Sequence, residues 1–114
     1  MNFVSIRIIT ADVARLVGFY EKTTGVPADW ATPEFASITT RGLTLAIGSE
    51  RTAPLATPAT NRSVIVEFLV DDVDAFYGTL TDVDVVMEPT TMPWGNRSLL
   101  LRDPDGNLVN FFKR

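Results

Sequence analysis

The stretch Arg102-Asp103-Pro104-Asp105-Gly106-Asn107-Leu108-Val109-Asn110-Phe111-Phe112 combines a tight turn with an apolar strand. Within Asp103–Gly106, Pro presets φ at the first central position of a turn, and Gly tolerates the positive φ that a reversal needs. An apolar run, Leu99–Leu101, precedes this turn, and Leu108–Phe112 follows it. The pattern predicts two strands joined by a short loop, and the two Phe side chains anchor the second strand in a sheet.

Composition limits the class of protein. With 114 residues, of which 46% are apolar, the chain is predicted to form one soluble domain over residues 1–114. The net charge is −4 and the ten basic residues are scattered, so we expect no nucleic-acid partner. No apolar run approaches the roughly 20 residues that span a bilayer, so we expect no membrane segment.

Cysteine and histidine, two residue types central to catalysis and metal binding, are missing from the chain. It has no Cys, which removes disulfides and thiolate chemistry and fits a cytoplasmic protein. It has no His, the usual general base near neutral pH and the commonest protein metal ligand. Catalytic schemes built on Ser-His-Asp, Cys-His or His-bound metal are therefore excluded.

The first half of the chain predicts one strand, one helix and further strands. Alternation predicts a strand over Phe3–Thr10, and Asp12 is a helix N-cap followed by an apolar stripe at spacings of three and four. The stripe consists of Val13, Leu16, Val17 and Tyr20, and Gly25 and Pro27 end the helix. Asp29–Pro33 is predicted to be an irregular connection, and strands are predicted over Phe35–Ile38 and Leu43–Ile47.

The pattern then repeats. Glu50–Arg62 is rich in Thr, Ala and Pro and is interpreted as a linker. After it we expect a strand (Ser63–Val70), a cap (Asp71-Asp72), a helix, a short strand (Val85–Met87), a loop (Glu88–Asn96) and a hairpin of Ser98–Leu101 with Leu108–Phe112. Asp71, Asp72 and Asp74 are assigned to capping rather than to calcium, because the twelve-residue calcium loop is missing.

An internal duplication explains this repetition. Asp12 and Asp72 are 60 positions apart, and the same offset superimposes the apolar positions of the two strands and helices. Gly42 and Gly106 are 64 positions apart. We therefore predict module one over about 1–50, a linker over about 51–62 and module two over about 63–114, although any two amphipathic strand-helix units share part of this likeness.

Four segments together resemble the glyoxalase, bleomycin-resistance and extradiol-dioxygenase superfamily, whose fold is often called the vicinal oxygen chelate fold. They are Ile8–Asp12 running into Phe19-Tyr20, Val70–Val73, Met92–Gly95 and Asp103–Leu108. The resemblance covers nearly all of the chain. It implies an α+β fold of two βαβββ modules, with mixed sheets curled around one concave cavity that is commonly completed by homodimerisation.

The resemblance also implies where a metal would be held. In metal-dependent members the ligands are His, Gln or Glu near the start of the first strand and on the last strand of each module. These places are occupied here by Ser5, Ile65, Ala46 and Asn110. The positions that neighbour these places add only one carboxylate, that of Glu67. A transition ion needs three or four good donors, so we expect no metal and no other cofactor.

Glu67 and Arg7 are the charged candidates for the site. Period-two alternation places Ser5, Arg7 and Ile9 on one face of the first strand, opposite the helix, and Glu67 on the equivalent face of the second module. One interpretation is an inert ion pair. The other is a general base, Glu67, with Arg7 as the partner of an anionic group.

Large side chains in predicted loops are the candidates for ligand contact. Trp30, Phe35 and Trp94 lie in or beside such loops, and aromatic side chains at such places commonly contact a flat or apolar ligand. Met92 is predicted to line the same site with a flexible side chain. Ser5 and Asn110 complete the predicted ligand-binding set. The alternative for the aromatic residues is ordinary packing in the core or at a dimer interface.

The leading hypothesis is a metal-independent small-molecule binding protein, a cytoplasmic homodimer that sequesters an apolar or aromatic drug or metabolite. The second is an enzyme, a glyoxalase-like lyase or isomerase that uses Glu67 and Arg7. A third is an interaction module whose outer surface binds a partner.

Overall fold

Residues Met1–Ala59 form the first of two compact units in the computed structural model, which describes residues 1–114. Its elements are β1 (Ser5–Ile9), α1 (Val13–Thr24), β2 (Asp29–Thr32), β3 (Phe35–Thr39) and β4 (Thr44–Gly48), followed by a 3-10 turn (Glu50–Thr52). The strand order is β1-β4-β3-β2, with β1 and β4 parallel and the other pairs antiparallel.

The second unit, Thr60–Arg114, repeats this plan. Its elements are β5 (Val66–Leu69), α2 (Val73–Thr79), β6 (Asp84–Thr91), β7 (Arg97–Arg102) and β8 (Leu108–Lys113). The strand order is β5-β8-β7-β6, and only β5 and β8 are parallel. The predicted α+β fold of two βαβββ modules is thus confirmed. Neither helix has the length and apolar character needed to cross a membrane.

The first helix begins and ends at the predicted signals. A carboxylate oxygen of Asp12 accepts the backbone N–H of Arg15 at 3.1 Å, which is N-cap geometry. At the other end Gly25 adopts φ +71° and donates its N–H to the carbonyl of Glu21. The predicted apolar stripe is buried, with Leu16 and Tyr20 fully inaccessible. Helix α1 therefore packs on β3 and β4 through this stripe.

The second helix is capped by Asp72, whose carboxylate accepts the N–H of Ala75 at 3.0 Å. It packs on its sheet through aromatic contacts. The ring of Phe111 on β8 lies 4.7 Å from that of Phe76 on α2 and 5.2 Å from that of Phe68 on β5, measured between ring centroids. These contacts place the core of the second unit on one face of the sheet, beneath α2.

Two predicted irregular segments are strands, and both lie at sheet edges. The interpretation of Asp29–Pro33 as a connection was wrong, because Asp29–Thr32 is β2, the outer strand of its sheet. All four of its residues are exposed and its register shifts between Trp30 and Thr32, so no apolar alternation marks it. An edge strand has one neighbour only and needs little burial to pair.

The prediction of a loop over Glu88–Asn96 was wrong for its first four residues, which belong to a strand. Strand β6 runs from Asp84 to Thr91 and includes Pro89. This Pro lacks an N–H, but β6 is an edge strand and its pairing with β7 shifts between Met87 and Thr90, so no ladder bond is required of Pro89. The turn that follows is closed by a hydrogen bond from Met92 N–H to the carbonyl of Asn96.

Each sheet has one face toward its helix and one face without a helix, which we call the helix-free face. In the first unit the side chains toward α1 include Ile38 and Ile47, which are 1% and 0% exposed. Ile8 pairs with Ile47, whereas Ser5 and Arg7 pair with Thr44 and Ala46. Ser5 and Arg7 therefore lie on the helix-free face, as the alternation of β1 predicts.

Candidate functional site

The centre of the helix-free face in the second unit is Asn110, on the inner strand β8. Its register partners are Glu67 on β5 and Leu100 on β7. Partners in register project to the same face of a sheet, and Val109 and Phe111, the neighbours of Asn110 along β8, face α2 instead. The three side chains of Glu67, Asn110 and Leu100 therefore form one row across the face.

Glu67 and Asn110 are hydrogen-bonded to each other. The Asn110 Nδ2 donates to Glu67 Oε2 at 2.7 Å. An ionised carboxylate only accepts, so the amide must turn its NH2 group toward Glu67 and its oxygen away from it. This contact holds both side chains in defined orientations across the parallel β5–β8 pair.

The other end of the same amide has no partner. Asn110 is 9% exposed, and its Oδ1 is buried without a hydrogen-bond donor from the protein. Leaving a buried acceptor unpaired costs about 1–3 kcal/mol. Glu67, in contrast, is exposed. The row thus presents a carboxylate at the surface and an unsatisfied amide oxygen beside it.

Apolar side chains surround this polar pair. Leu108 and Phe112 flank Asn110 along β8, and both are half-buried, as is Leu100 across the row. Leu69, two residues after Glu67 on the same face, is 62% exposed. Largely apolar surfaces with a few fixed polar groups are typical of small-molecule sites.

The equivalent row in the first unit has different chemistry. Arg7 on β1 pairs with Ala46 on β4, and Ala46 pairs with Ser37 on β3. Arg7 is exposed, Ser37 is half-buried and Ala46 offers no polar atom. Arg7 belongs to the first unit and Glu67 to the second, and the predicted partnership of the two stays a prediction.

The aromatic candidates do not share one surface. Trp30 pairs with Ala36 and so lies on the helix side of its sheet, 42% exposed at the edge. Phe35 pairs with Gly48, which places it on the helix-free face of the same sheet. Trp94 lies in the β6–β7 turn and is 71% exposed, and Met92 in the same turn is half-buried. Their role in ligand contact stays a prediction.

The residues at the expected metal positions do not fit a transition ion. Ser5 supplies a hydroxyl, Asn110 an amide, and Ala46 and Ile65 no donor. No three side chains of the His, Cys, Asp or Glu types come together as an ion site in residues 1–114. Transition ions bind three or four imidazole, thiolate or carboxylate ligands, so we derive no metal-dependent step from this donor set.

Two polar contacts on the other side of the second sheet were not predicted. Arg97 on β7 forms a bidentate pair with Asp74 on α2, with N–O distances of 2.6 and 2.7 Å. The hydrogen bond from Arg97 lowers the pKa of Asp74 below its usual value. Asp74 therefore links the helix to the sheet, besides any effect on the helix dipole. Its partner is 23 positions away, and no local signal marks it.

Tyr77 and Glu88 form the second of these contacts. The Tyr77 hydroxyl donates to Glu88 Oε1 at 3.0 Å, and this bond raises the pKa of Tyr77 above its usual value. Both contacts tie α2 to β6 and β7 at the surface. They do not reach the helix-free face and are structural in character.

The order of elements, the strand order within each four-stranded sheet and the Asp103–Asn107 turn agree with one family of proteins. The model of the Glyoxalase/Bleomycin resistance protein/Dioxygenase superfamily matches residues 2–111. This chain belongs to that superfamily. Among its relatives, the Bacillus subtilis (strain 168) protein YraH is 27% identical, and the match covers 99% of this chain and 98% of that protein.

Solved structures of superfamily members share the fold. A member from Sphaerobacter thermophilus DSM 20745 is 25% identical, with a TM-score of 0.79 over 100% of this chain and 98% of the other. A family enzyme from Burkholderia phytofirmans PsJN is 16% identical, with a TM-score of 0.84 over 99% of this chain and 98% of the other. The second likeness shows the shared fold alone.

Proposed function

We propose that this superfamily member is a metal-independent small-molecule binding protein that sequesters an apolar or aromatic drug or metabolite. The observation that carries the proposal is the Glu67–Asn110 pair, held at 2.7 Å among apolar side chains on the helix-free face of the second unit. The resemblance implies a carboxylate at the position of Asn110 in metal-dependent members, whereas the amide and hydrocarbon side chains found here favour an organic ligand.

The apolar surround supplies most of the binding free energy in this proposal. Burial of apolar surface contributes roughly 25 cal/mol per Å², so a ligand that covers a few leucine-sized side chains gains several kcal/mol before its entropic cost. Leu100, Leu108 and Phe112 are half-buried, and each retains accessible surface for such a contact.

A titration of the ¹⁵N-labelled protein with small aromatic compounds tests this proposal. We expect amide shift changes at Leu100, Asn110 and Phe112, with Trp fluorescence as a second readout of the Trp30 and Trp94 environments. Leu100→Ser should weaken binding, whereas Leu55→Ser, at a fully exposed position in the first unit, should not. Shift changes restricted to other surfaces would contradict the proposal, and a stoichiometric transition metal in elemental analysis would contradict its metal-independent character.

A second candidate function is a lyase or isomerase reaction in which Glu67 is the general base. It is favoured by the orientation of this exposed carboxylate, since Asn110 fixes one oxygen and leaves the other to a substrate. Glu67→Gln should then abolish turnover while the protein stays folded. Unchanged turnover would remove Glu67 from the mechanism.

We further propose that the protein acts as a homodimer in the cytoplasm, without nucleic-acid partners. Large apolar side chains are exposed on both units, which suits an interface between copies. They include Phe3, Val4, Val64, Leu69 and Trp94. Sedimentation equilibrium of the purified protein should give twice the monomer mass of 12.5 kDa. A monomer at all concentrations would contradict this proposal.

A further inference from the structure

The unpaired oxygen of Asn110 restricts the chemistry of the ligand. We propose that the small molecule bound on the helix-free face of the second unit carries an amine, whose N–H group donates to Asn110 Oδ1 and whose positive charge is balanced by Glu67. This inference rests on the proposed binding function and adds the chemical class of the ligand.

The first step is the direction of the amide. Asn110 Nδ2 is committed to Glu67 at 2.7 Å, and the two amide atoms diverge from the same carbon, so Oδ1 points away from Glu67. No protein donor reaches this oxygen. An amide oxygen is an acceptor only, so its missing partner is a donor group, N–H or O–H.

The second step is charge. Glu67 is exposed and hydrogen-bonded to the other end of the same amide, so a donor seated on Oδ1 is separated from a carboxylate by one amide group. A negative charge at that distance attracts an ammonium group and repels an anion. Hydrogen bonds to ionised groups are also stronger than neutral ones. Of the donors that satisfy Oδ1, a cationic N–H is therefore favoured.

The third step concerns the fit of the site, which suits an amine better than a metal cation. Ca²⁺ takes six to eight oxygen ligands, and Mg²⁺ needs an octahedron of them. The row supplies one carboxylate and one amide, and its other neighbours Leu100, Leu108 and Phe112 are hydrocarbon. An ammonium group on an apolar body matches both parts of this surface: the charged end meets the polar pair, and the body covers the apolar side chains.

Access requires a side-chain movement, because Oδ1 is covered in the structure. Leu100, the register partner of Asn110, and Phe112 are only half-buried. Binding of the amine therefore includes a rotamer change of one of these two side chains.

The test uses three probes that share one aromatic body: phenethylamine, phenethyl alcohol and hydrocinnamate. Binding is measured from ¹⁵N shift changes, including those of the Asn110 side-chain NH2 group. We expect phenethylamine to bind about tenfold more tightly than the other two, since a hydrogen bond to a charged group contributes about 1.5 kcal/mol or more.

Three variants locate the interaction. Glu67→Gln removes the charge but keeps an acceptor for Asn110 Nδ2, and it should weaken phenethylamine binding about tenfold. Glu88→Gln makes the same charge change at the contact with Tyr77, away from the helix-free face, and should leave binding unchanged. Asn110→Leu should abolish the preference for the amine. Should this variant fail to fold, the comparison of Glu67→Gln with Glu88→Gln decides the question.

The outcomes separate this inference from the proposed function. Equal binding of all three probes on the helix-free face, or no effect of Glu67→Gln, overturns the amine inference and leaves the binding function in place. A specific response of the Asn110 side chain to Mg²⁺ or Ca²⁺ in place of the amine also overturns it. If none of the three probes shifts any resonance on this face, both the inference and the proposed function fail.

Discussion

Asp103 and Asn107 are joined by three hydrogen bonds across the loop between β7 and β8, one of them from the Asp103 N–H to the Asn107 carbonyl at 2.9 Å. Asp103 Oδ1 accepts the backbone N–H of Asn107 at 2.9 Å, and Asp103 Oδ2 accepts Asn107 Nδ2 at 2.9 Å. Asp103 Oδ1 also accepts the N–H of Asp105. Asp103 and Asn107 are each 4% exposed. The carboxylate of Asp103 thus finds donors within the turn, and Asn107 Oδ1 accepts the N–H of Asn61 from outside it at 2.9 Å. Together these contacts fix the pairing of the last two strands.

Replacement of Asp103 by Ala is therefore expected to lower the free energy of unfolding by about 3 kcal/mol, because it leaves buried donors of Asn107 without an acceptor. Urea denaturation followed by circular dichroism measures this change. The control is Asp84→Ala, at an exposed position of β6, where we expect a change within about 0.5 kcal/mol. Equal losses in the two variants would contradict this account of the turn.

Two glycines with the same backbone conformation differ in their surroundings. Gly42 and Gly106 have φ of +83° and +85°, so an L side chain is strained at either, by roughly 1–2 kcal/mol. A Cβ at Gly42 meets open space, whereas at Gly106 it lies 3.1 Å from Thr60 Oγ1. We expect Gly106→Ala to lower the unfolding free energy more than Gly42→Ala does. A larger loss for Gly42→Ala in thermal denaturation would refute this expectation.

Replacing Asp71 or its neighbour Asp72 by Ala is predicted to lower the free energy of unfolding by different amounts. Only Asp72 accepts the N-cap hydrogen bond, from Ala75, so Asp72→Ala should cost about 1 kcal/mol. Asp71→Ala should change the unfolding free energy by less than about 0.5 kcal/mol. Chemical denaturation of the two variants provides the measurement, and a reversed order would show that the cap is assigned to the wrong residue.

A pH titration tests the contact between Tyr77 and Glu88. The hydrogen bond to Glu88 raises the pKa of Tyr77, so the folded protein holds the phenol proton more tightly than the unfolded chain does. The resulting stability is fully present below the usual tyrosine pKa of about 10 and is lost as the pH rises through the pKa of the folded state.

Glu88→Gln should therefore lower the pKa of Tyr77 toward its usual value, measured by the ultraviolet absorbance of the phenolate. Tyr77→Phe identifies the signal, since Tyr20 is the only other tyrosine in the chain. A Tyr77 titration that is identical in the parent protein and in Glu88→Gln would mean that this hydrogen bond does not form in solution.

Local patterns predicted much of the fold. The caps at Asp12 and Asp72, the stripe on α1 and the turn at Asp103–Gly106 each depend on residues within a few positions of one another. Strand β2 was missed because it is an edge strand with all four residues exposed, so no alternation marks it. Strand β6 was shortened because Pro89 is a loop signal in the sequence, whereas an edge strand tolerates it.

The candidate site was predicted as separate residues and became one arrangement only in the folded chain. Alternation alone placed Glu67 on the helix-free side of its strand, and the turn register singled out Asn110. Their hydrogen bond joins residues 43 positions apart, through the parallel pairing of β5 with β8. Trp30 is a further example: its register with Ala36, which the sequence did not reveal, places it on the helix side of its sheet, and its role in ligand contact stays a prediction.

The sequence by itself determined the elements whose stability comes from neighbouring residues: two helices with their caps, the inner strands and a repeated βαβββ plan. Only the tertiary structure decided which polar groups meet, as in Asp74 with Arg97 and Glu67 with Asn110. The physical reason is that a cap or a turn depends on a few consecutive residues, whereas strand register is set by the summed burial and pairing of distant segments, which no short stretch contains.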